Sequence, residues 1–338
     1  MKLAVLDPGG RDPNQNFPDG AGVPSEEAVP PLGGHAFAAC TSGLFVRRDQ
    51  DIPTAQKEVL LLLGADLKKS RQAMVELRAA GKTIALAWKD ARPFEIATQL
   101  GKPKALQLFQ EICQRADGAI ATTTDLLPFF NAAQVRHAEF LPTPVPVDDE
   151  RWNFSTPFEE RRGIFIGTRD FASPGQNHLA ALMTIRQLAS SMYEAVTVFN
   201  TDGGRGRRLI ARLGFDEQLL RVIEQRVSYS KYLQVIGKHK LVWQLDASGG
   251  VGRVAGDALL ARVPCVGGLG TTERLVFPDL CGFGRDGEQL FDLAARLLEH
   301  PHDCEAVVQR AVDGAKEKVS FAAVNARLET FFRRIARS

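Results

Sequence analysis

Residues Gln244–Gly268 read QLDASGGVGRVAGDALLARVPCVGG. The stretch opens on the end of an apolar strand, Lys240–Leu245, and passes through a glycine-rich turn, Ser248–Gly252. A helix is expected from near Val251 to just before Pro264, followed by a short strand at Cys265–Val266. Strand, glycine turn, helix and strand make a βαβ unit. The N–H groups left unpaired at such a helix start attract an anion, for example a diphosphate held by Gly249, Gly250 and Gly252. Val251, Val254, Ala255, Ala258 and Leu259 recur at helical spacing and form one packed face. Arg253 and Asp257 fall opposite, four residues apart. A surface ion pair there is worth only about a few tenths of a kcal/mol. A cation in the first turn also opposes the helix dipole, which an anion at the N-terminus reconciles.

On both sides of this unit the chain alternates strands and helices. Strands are expected at Lys2–Leu6, Val59–Leu63, Thr83–Trp88, Gly118–Ala121 and Ala138–Leu141, with helices at 36–46, 66–80, 95–116 and 125–133. The run Pro142-Thr143-Pro144-Val145-Pro146 enforces extended backbone and breaks the rhythm. The pattern then restarts: strands at 163–167, 195–200, 219–227 and 240–245, and helices at 177–191, 205–214 and 230–236, the last capped by Ser230. Residues 267–273 read as a loop, and helices at 289–299, 304–318 and 321–337 finish the chain. The fold class is α/β, two Rossmann-like domains facing a cleft. The expected boundaries are residues 1–146, residues 147–320 and a terminal helix, 321–338. The apolar stripe of that helix (Phe321, Val324, Leu328, Phe331, Ile335) is expected to cross back onto the first domain.

At 338 residues, 44% apolar and 24% charged, the chain is an ordinary soluble protein long enough for two domains. A net charge of +2 gives no global field, and no nucleic-acid partner is expected. Arginines cluster at 205–212 and 327–337; they read as solvated faces, with weak contact to an anionic membrane surface as the alternative. The five cysteines are widely spaced and include no CxxC, so they read as reduced, buried thiols. Histidine and cysteine are not grouped at ligand spacing, so neither metal nor cofactor is expected. The N-terminal apolar run is short for a signal peptide, and no stretch reaches the roughly 20 apolar residues of a membrane span. The expectation is a cytoplasmic protein, or one peripheral at the inner membrane face.

A second arginine, Arg169, follows the strand at 163–167. With Arg253 it could neutralise a pyrophosphate by bidentate contacts. The backbone of Val227, taken as a strand end, is placed to pair with a base edge. Gly33 and Gly34 offer close backbone approach on the acceptor side, and His35 beside them is the candidate base for an acceptor hydroxyl. Glu273 either contacts a sugar or favours the start of the next helix.

The second half resembles the donor domain of GT-B glycosyltransferases, especially the large retaining group 1 (family four-like) enzymes, whose signature is two acids separated by seven residues. The matching residues are Asp257-Ala258 and Arg262-Val263-Pro264-Cys265-Val266. The resemblance implies that Asp257 holds the ribose hydroxyls of a nucleotide-sugar, that the Gly249–Gly252 turn cradles its diphosphate, and that Arg169 is the arginine of the group's Gly-Arg motif. The position of the first acid is Gly249, with Asp246 three residues earlier as a substitute. The group's lysine is absent where Gln176-Asn177-His178 stand. The expected activity is metal-independent transfer of a sugar from a nucleotide-diphosphate sugar to a glycan, lipid-linked or small-molecule acceptor. The alternative is a catalytically silent nucleotide- or sugar-binding protein or scaffold on the same architecture.

Overall fold

The computed structural model describes residues 1–337, and the chain divides into two compact units. Unit 1 comprises Met1–Pro24, Ala28–Arg151 and Lys316–Ser338; unit 2 comprises Ser25–Glu27 and Trp152–Ala315.

Unit 1 is built on seven strands: β1 (Ala4–Leu6), β2 (Gln15–Asn16), β3 (Leu44–Val46), β4 (Glu58–Leu63), β5 (Thr83–Trp88), β6 (Gly118–Ala121) and β7 (Ala138–Phe140). Their order is β2-β3-β1-β4-β5-β6-β7, parallel except for β2. β1, β6 and residues 59–63 of β4 are unbroken apolar or small-residue runs because helices cover both faces of such a sheet. The helices are α1 (Gly34–Cys40), α2 (Leu67–Ala79), α3 (Pro93–Leu100), α4 (Pro103–Arg115) and α5 (Leu127–Ala132).

Unit 2 repeats the scheme: β8 (Ile164–Ile166), α6 (His178–Met192), β9 (Val196–Phe199), α7 (Gly203–Ala211), β10 (Leu220–Ile223), α8 (Tyr229–Gly237), β11 (Leu241–Trp243), α9 (Arg253–Leu260) and β12 (Cys265–Val266). α10 (Thr271–Val276), α11 (Gly287–Glu299) and α12 (Pro301–Lys318) follow. The sheet order is β10-β9-β8-β11-β12, all parallel. The connections run outward in one direction from β8 and in the other from β11, so the reversal of strand order lies between these two neighbours. The last helix, α13 (Phe321–Ile335), belongs to unit 1. Its Val324, Leu328, Phe331, Phe332 and Ile335 are buried with Leu3, Val5, Phe37 and Leu60.

Several expectations are corrected. The segment 36–46 is not one helix. α1 ends at Cys40, the chain turns at Ser42 (φ 50°), and Leu44–Val46 pairs with β1, as suits a β-branched and aromatic run. The helical region 95–116 is two helices, because Gly101-Lys102-Pro103 interrupts it and Pro103 opens α4. The cap of α8 is Ser228, whose hydroxyl accepts from Lys231 N, not Ser230. β10 ends at Ile223, so Val227 lies in an exposed run before α8 rather than at a strand end. The sequence 267–273 is not all loop, since α10 begins at Thr271. Among the described residues no helix is long and apolar enough to cross a membrane.

Candidate functional site

Two loops meet at the strand-order reversal of unit 2. The loop after β8 and the loop after β11 are tied by Ala247 N donating to Gly175 O (2.8 Å) and Asn177 Nδ2 donating to Leu245 O (3.0 Å). The first loop presents Arg169. Its carbonyl accepts from Thr201 Oγ1 (2.8 Å), and the next turn is fixed by Phe171 N on Asp202 Oδ2 (2.9 Å) and Ala172 N on Asp170 Oδ1 (2.7 Å). Arg169 is exposed.

The second loop is the glycine turn. Asp246, half-buried, accepts from Ser248 N (2.8 Å) and starts the turn; Gly249 (φ 65°) and Gly252 (φ 78°) take left-handed backbone. A Cβ at Gly252 would overlap Glu273 Oε2 and stand 2.8 Å from Thr272 N. Two of the turn's carbonyls are occupied: Thr271 N donates to Gly250 O (2.9 Å), and Thr272 Oγ1 to Val251 O (2.7 Å). The amides of Val251 and Gly252 are not. No N–H from Val251 to Ala255 donates to another described residue. With Gly252 as the N-cap of α9, these amides and the helix dipole give a site of positive potential. Arg253, the first helical residue, is exposed beside it.

Asp257 does not share that exposed face. It is 4% exposed, because α8 covers it and Tyr229 Oη donates to its Oδ1 at 2.5 Å. Burial raises its pKa to about 6, against the pull of Arg253, the Tyr229 hydroxyl and Arg169. Both arginines therefore act on this one carboxyl. Tyr229 stacks on Tyr232 (6.2 Å, 22°) and lies 6.0 Å from the ring of Trp152.

Glu273 lies deeper still. It is 2% exposed in α10, its Oε1 accepts from Gln244 Nε2 (2.8 Å), and its Oε2 is buried with no partner. Burial raises its pKa to about 7. It stands in the first turn of α10, the second of the two places expected for it, and its carboxyl faces the underside of the glycine turn, where Gly252 and Gly270 leave it room. His178 occupies the region of the missing lysine but brings no charge. Its Nδ1 is 3.0 Å from Thr168 Oγ1, and burial lowers its pKa to about 4.

The candidates Gly33, Gly34 and His35 lie in unit 1. His35 is buried, stacked on Phe45 (3.8 Å, 20°), with Nε2 held 2.9 Å from Pro13 O. Nε2 is thus committed to the backbone, and burial lowers the pKa of the ring. Gly34 serves packing, since a Cβ would stand 2.7 Å from Leu62 Cδ1. Gly33 (φ 53°) opens α1 with free space around it. Sequence reasoning missed Tyr229 and Tyr232 as partners of Asp257. Their spacing of three on one helix was the available signal.

No family model and no curated protein matches the chain. Solved structures do. An α,α-trehalose 6-phosphate synthase from Burkholderia multivorans is 11% identical, with TM-score 0.63, over 85% of this chain and 73% of that one. A sucrose-phosphate synthase from Thermosynechococcus elongatus is 14% identical, with TM-score 0.58, over 82% and 74%. A UDP-forming synthase from Burkholderia xenovorans is 12% identical, with TM-score 0.62, over 86% and 76%. The fold is GT-B. At these identities the likeness concerns the arrangement of elements in two Rossmann-like domains.

Proposed function

We propose that the protein is a glycosyltransferase that binds a nucleotide-diphosphate sugar on unit 2 and its acceptor on unit 1. The observation that carries this reading is the convergence at the β8/β11 reversal. There the free amides of the α9 start and Arg253, its first residue, stand where open α/β sheets bind ligands, and Arg169 on the neighbouring loop bears with Arg253 on Asp257. These groups supply positive charge for a leaving diphosphate without calling on a metal ion. Asp257 is the acid assigned to the ribose, Asp246 the carboxylate nearest the turn on the sugar side, and the backbone near Val227 the contact for the base. The neighbours named as synthases, one of them UDP-forming, support a nucleotide-sugar donor. The degenerate acid pair supports descent from the retaining group 1 enzymes.

A silent binder on the same architecture is the second reading, favoured by Gly249 at the first-acid position. A thermal-shift panel of UDP-, GDP-, ADP- and dTDP-sugars tests donor binding: one nucleotide class is expected to raise the melting temperature selectively. Arg169→Ala and Arg253→Ala should each weaken that ligand about 10- to 100-fold, the worth of a charge-assisted hydrogen-bond pair. No shift with any nucleotide would sink the enzyme reading.

A further inference from the structure

Asp257 can touch a ribose only if something moves. Its carboxyl is 4% exposed, and the oxygen toward α8 is taken by the Tyr229 hydroxyl at 2.5 Å. We propose that the Tyr229 hydroxyl stands in for a ligand hydroxyl on Asp257, and that it leaves when a nucleoside diphosphate with a free ribose diol binds. The inference rests on the donor reading above and adds a residue that selects the ligand.

Three observations support exchange over a fixed clamp. The first is chemical: a phenol and a sugar alcohol are both neutral hydroxyl donors, so the carboxyl keeps a hydrogen bond in either state. The second is positional. Tyr229 is the first residue of α8, half-buried, and the run Glu224–Val227 before it is exposed. Tyr232, one turn on, is 9% exposed and packs against Phe165 (5.8 Å) and Phe199 (5.5 Å), so it forms a fixed wall. The third is electrostatic: Arg169 and Arg253 both act on Asp257, beside the free amides of α9. One buried carboxyl does not use that much positive potential; a diphosphate placed there does.

The exchange lowers apparent affinity by the fraction of molecules in which the tyrosine has left. Tyr229→Phe removes the hydroxyl that holds the ring in place and leaves Asp257 one donor short, with the Tyr232 hydroxyl still beside it. By calorimetric titration it should bind the preferred ribonucleoside diphosphate about ten-fold or more tightly than the unaltered chain. The 2′,3′-dideoxy diphosphate, which has no hydroxyl to offer Asp257, should show no such gain. Equal or weaker binding of the ribonucleotide by Tyr229→Phe, with clear binding by the unaltered chain, overturns the inference and leaves the donor reading intact. If neither protein binds any nucleoside diphosphate, the donor reading falls and this inference with it. A readout on the unaltered chain stands beside the variant. Departure of the Tyr229 ring from Trp152 should change tryptophan emission at saturating nucleoside diphosphate, and Trp152→Phe should abolish the change. Unchanged emission at saturation also overturns the exchange.

Discussion

Glu273 holds its carboxyl where water does not reach, with one oxygen on Gln244 and the other on nothing. Burial favours its neutral form, so its pKa rises from the ordinary 4.5 to about 7. In the unfolded chain the group ionises near its ordinary value. Ionisation therefore destabilises the fold progressively from about pH 4.5 to pH 7, and the full cost persists above. Glu273→Gln removes that cost. Its unfolding free energy relative to the unaltered chain should rise by up to about 3 kcal/mol between pH 4.5 and pH 8, as measured by urea unfolding. A difference that does not vary with pH would show that the carboxyl is not strained by ionisation. The sequence placed Glu273 at the end of the loop 267–273 but not beneath the glycine turn, because depth is set by α10 packing on α9, which no local pattern states. Asp257 shows the same limit. Its four-residue offset from Arg253 implied a shared exposed face, and the hydroxyl of Tyr229 on α8, distant in sequence, buries it.

At the scale of elements, the glycine turn and α9 were legible because each feature is local: an apolar strand, glycines, a periodic apolar face and a proline stop. What the sequence left open was why Gly252 is glycine. Its φ of 78° and the overlap of any Cβ with Glu273 supply the reason. Gly252→Ala should cost at least about 2 kcal/mol of stability in urea unfolding, from left-handed backbone and a displaced carboxyl together. A change within about 0.5 kcal/mol would mean that the turn relaxes freely. The misread segment 36–46 is the converse case. Phe37–Cys40 and Leu44–Val46 are both apolar, and only pairing of the second with β1 separates strand from helix. Strand order was not legible either, yet it places the site, since β8 and β11 become neighbours across intervening β9 and β10.

For the whole molecule, the repeated alternation of strands and helices, broken by the prolines at 142–146, announced two Rossmann-like domains. The apolar stripe of α13 announced a helix with something to bury. Phe331 is fully buried, meets Phe332 edge-on at 5.7 Å and lies against Gly118 of β6. Phe331→Ala should lower the unfolding free energy of unit 1 by about 3–5 kcal/mol, read from its thermal or urea transition. Loss below 1 kcal/mol would mean that α13 is not part of that core. Function was legible only as far as the positive site. The arginines could be found from their places after strands, whereas the tyrosines on Asp257 required the fold.

The central claim is that the positive site at the β8/β11 reversal serves glycosyl transfer. The most direct measurement is release of nucleoside diphosphate from a panel of nucleotide-sugars, with and without mixed glycan, lipid-linked and small-molecule acceptors. The account predicts release from one donor class, stimulated by an acceptor and abolished in the Arg169→Ala/Arg253→Ala double variant. No release from any donor, or release that survives loss of both arginines, would contradict it.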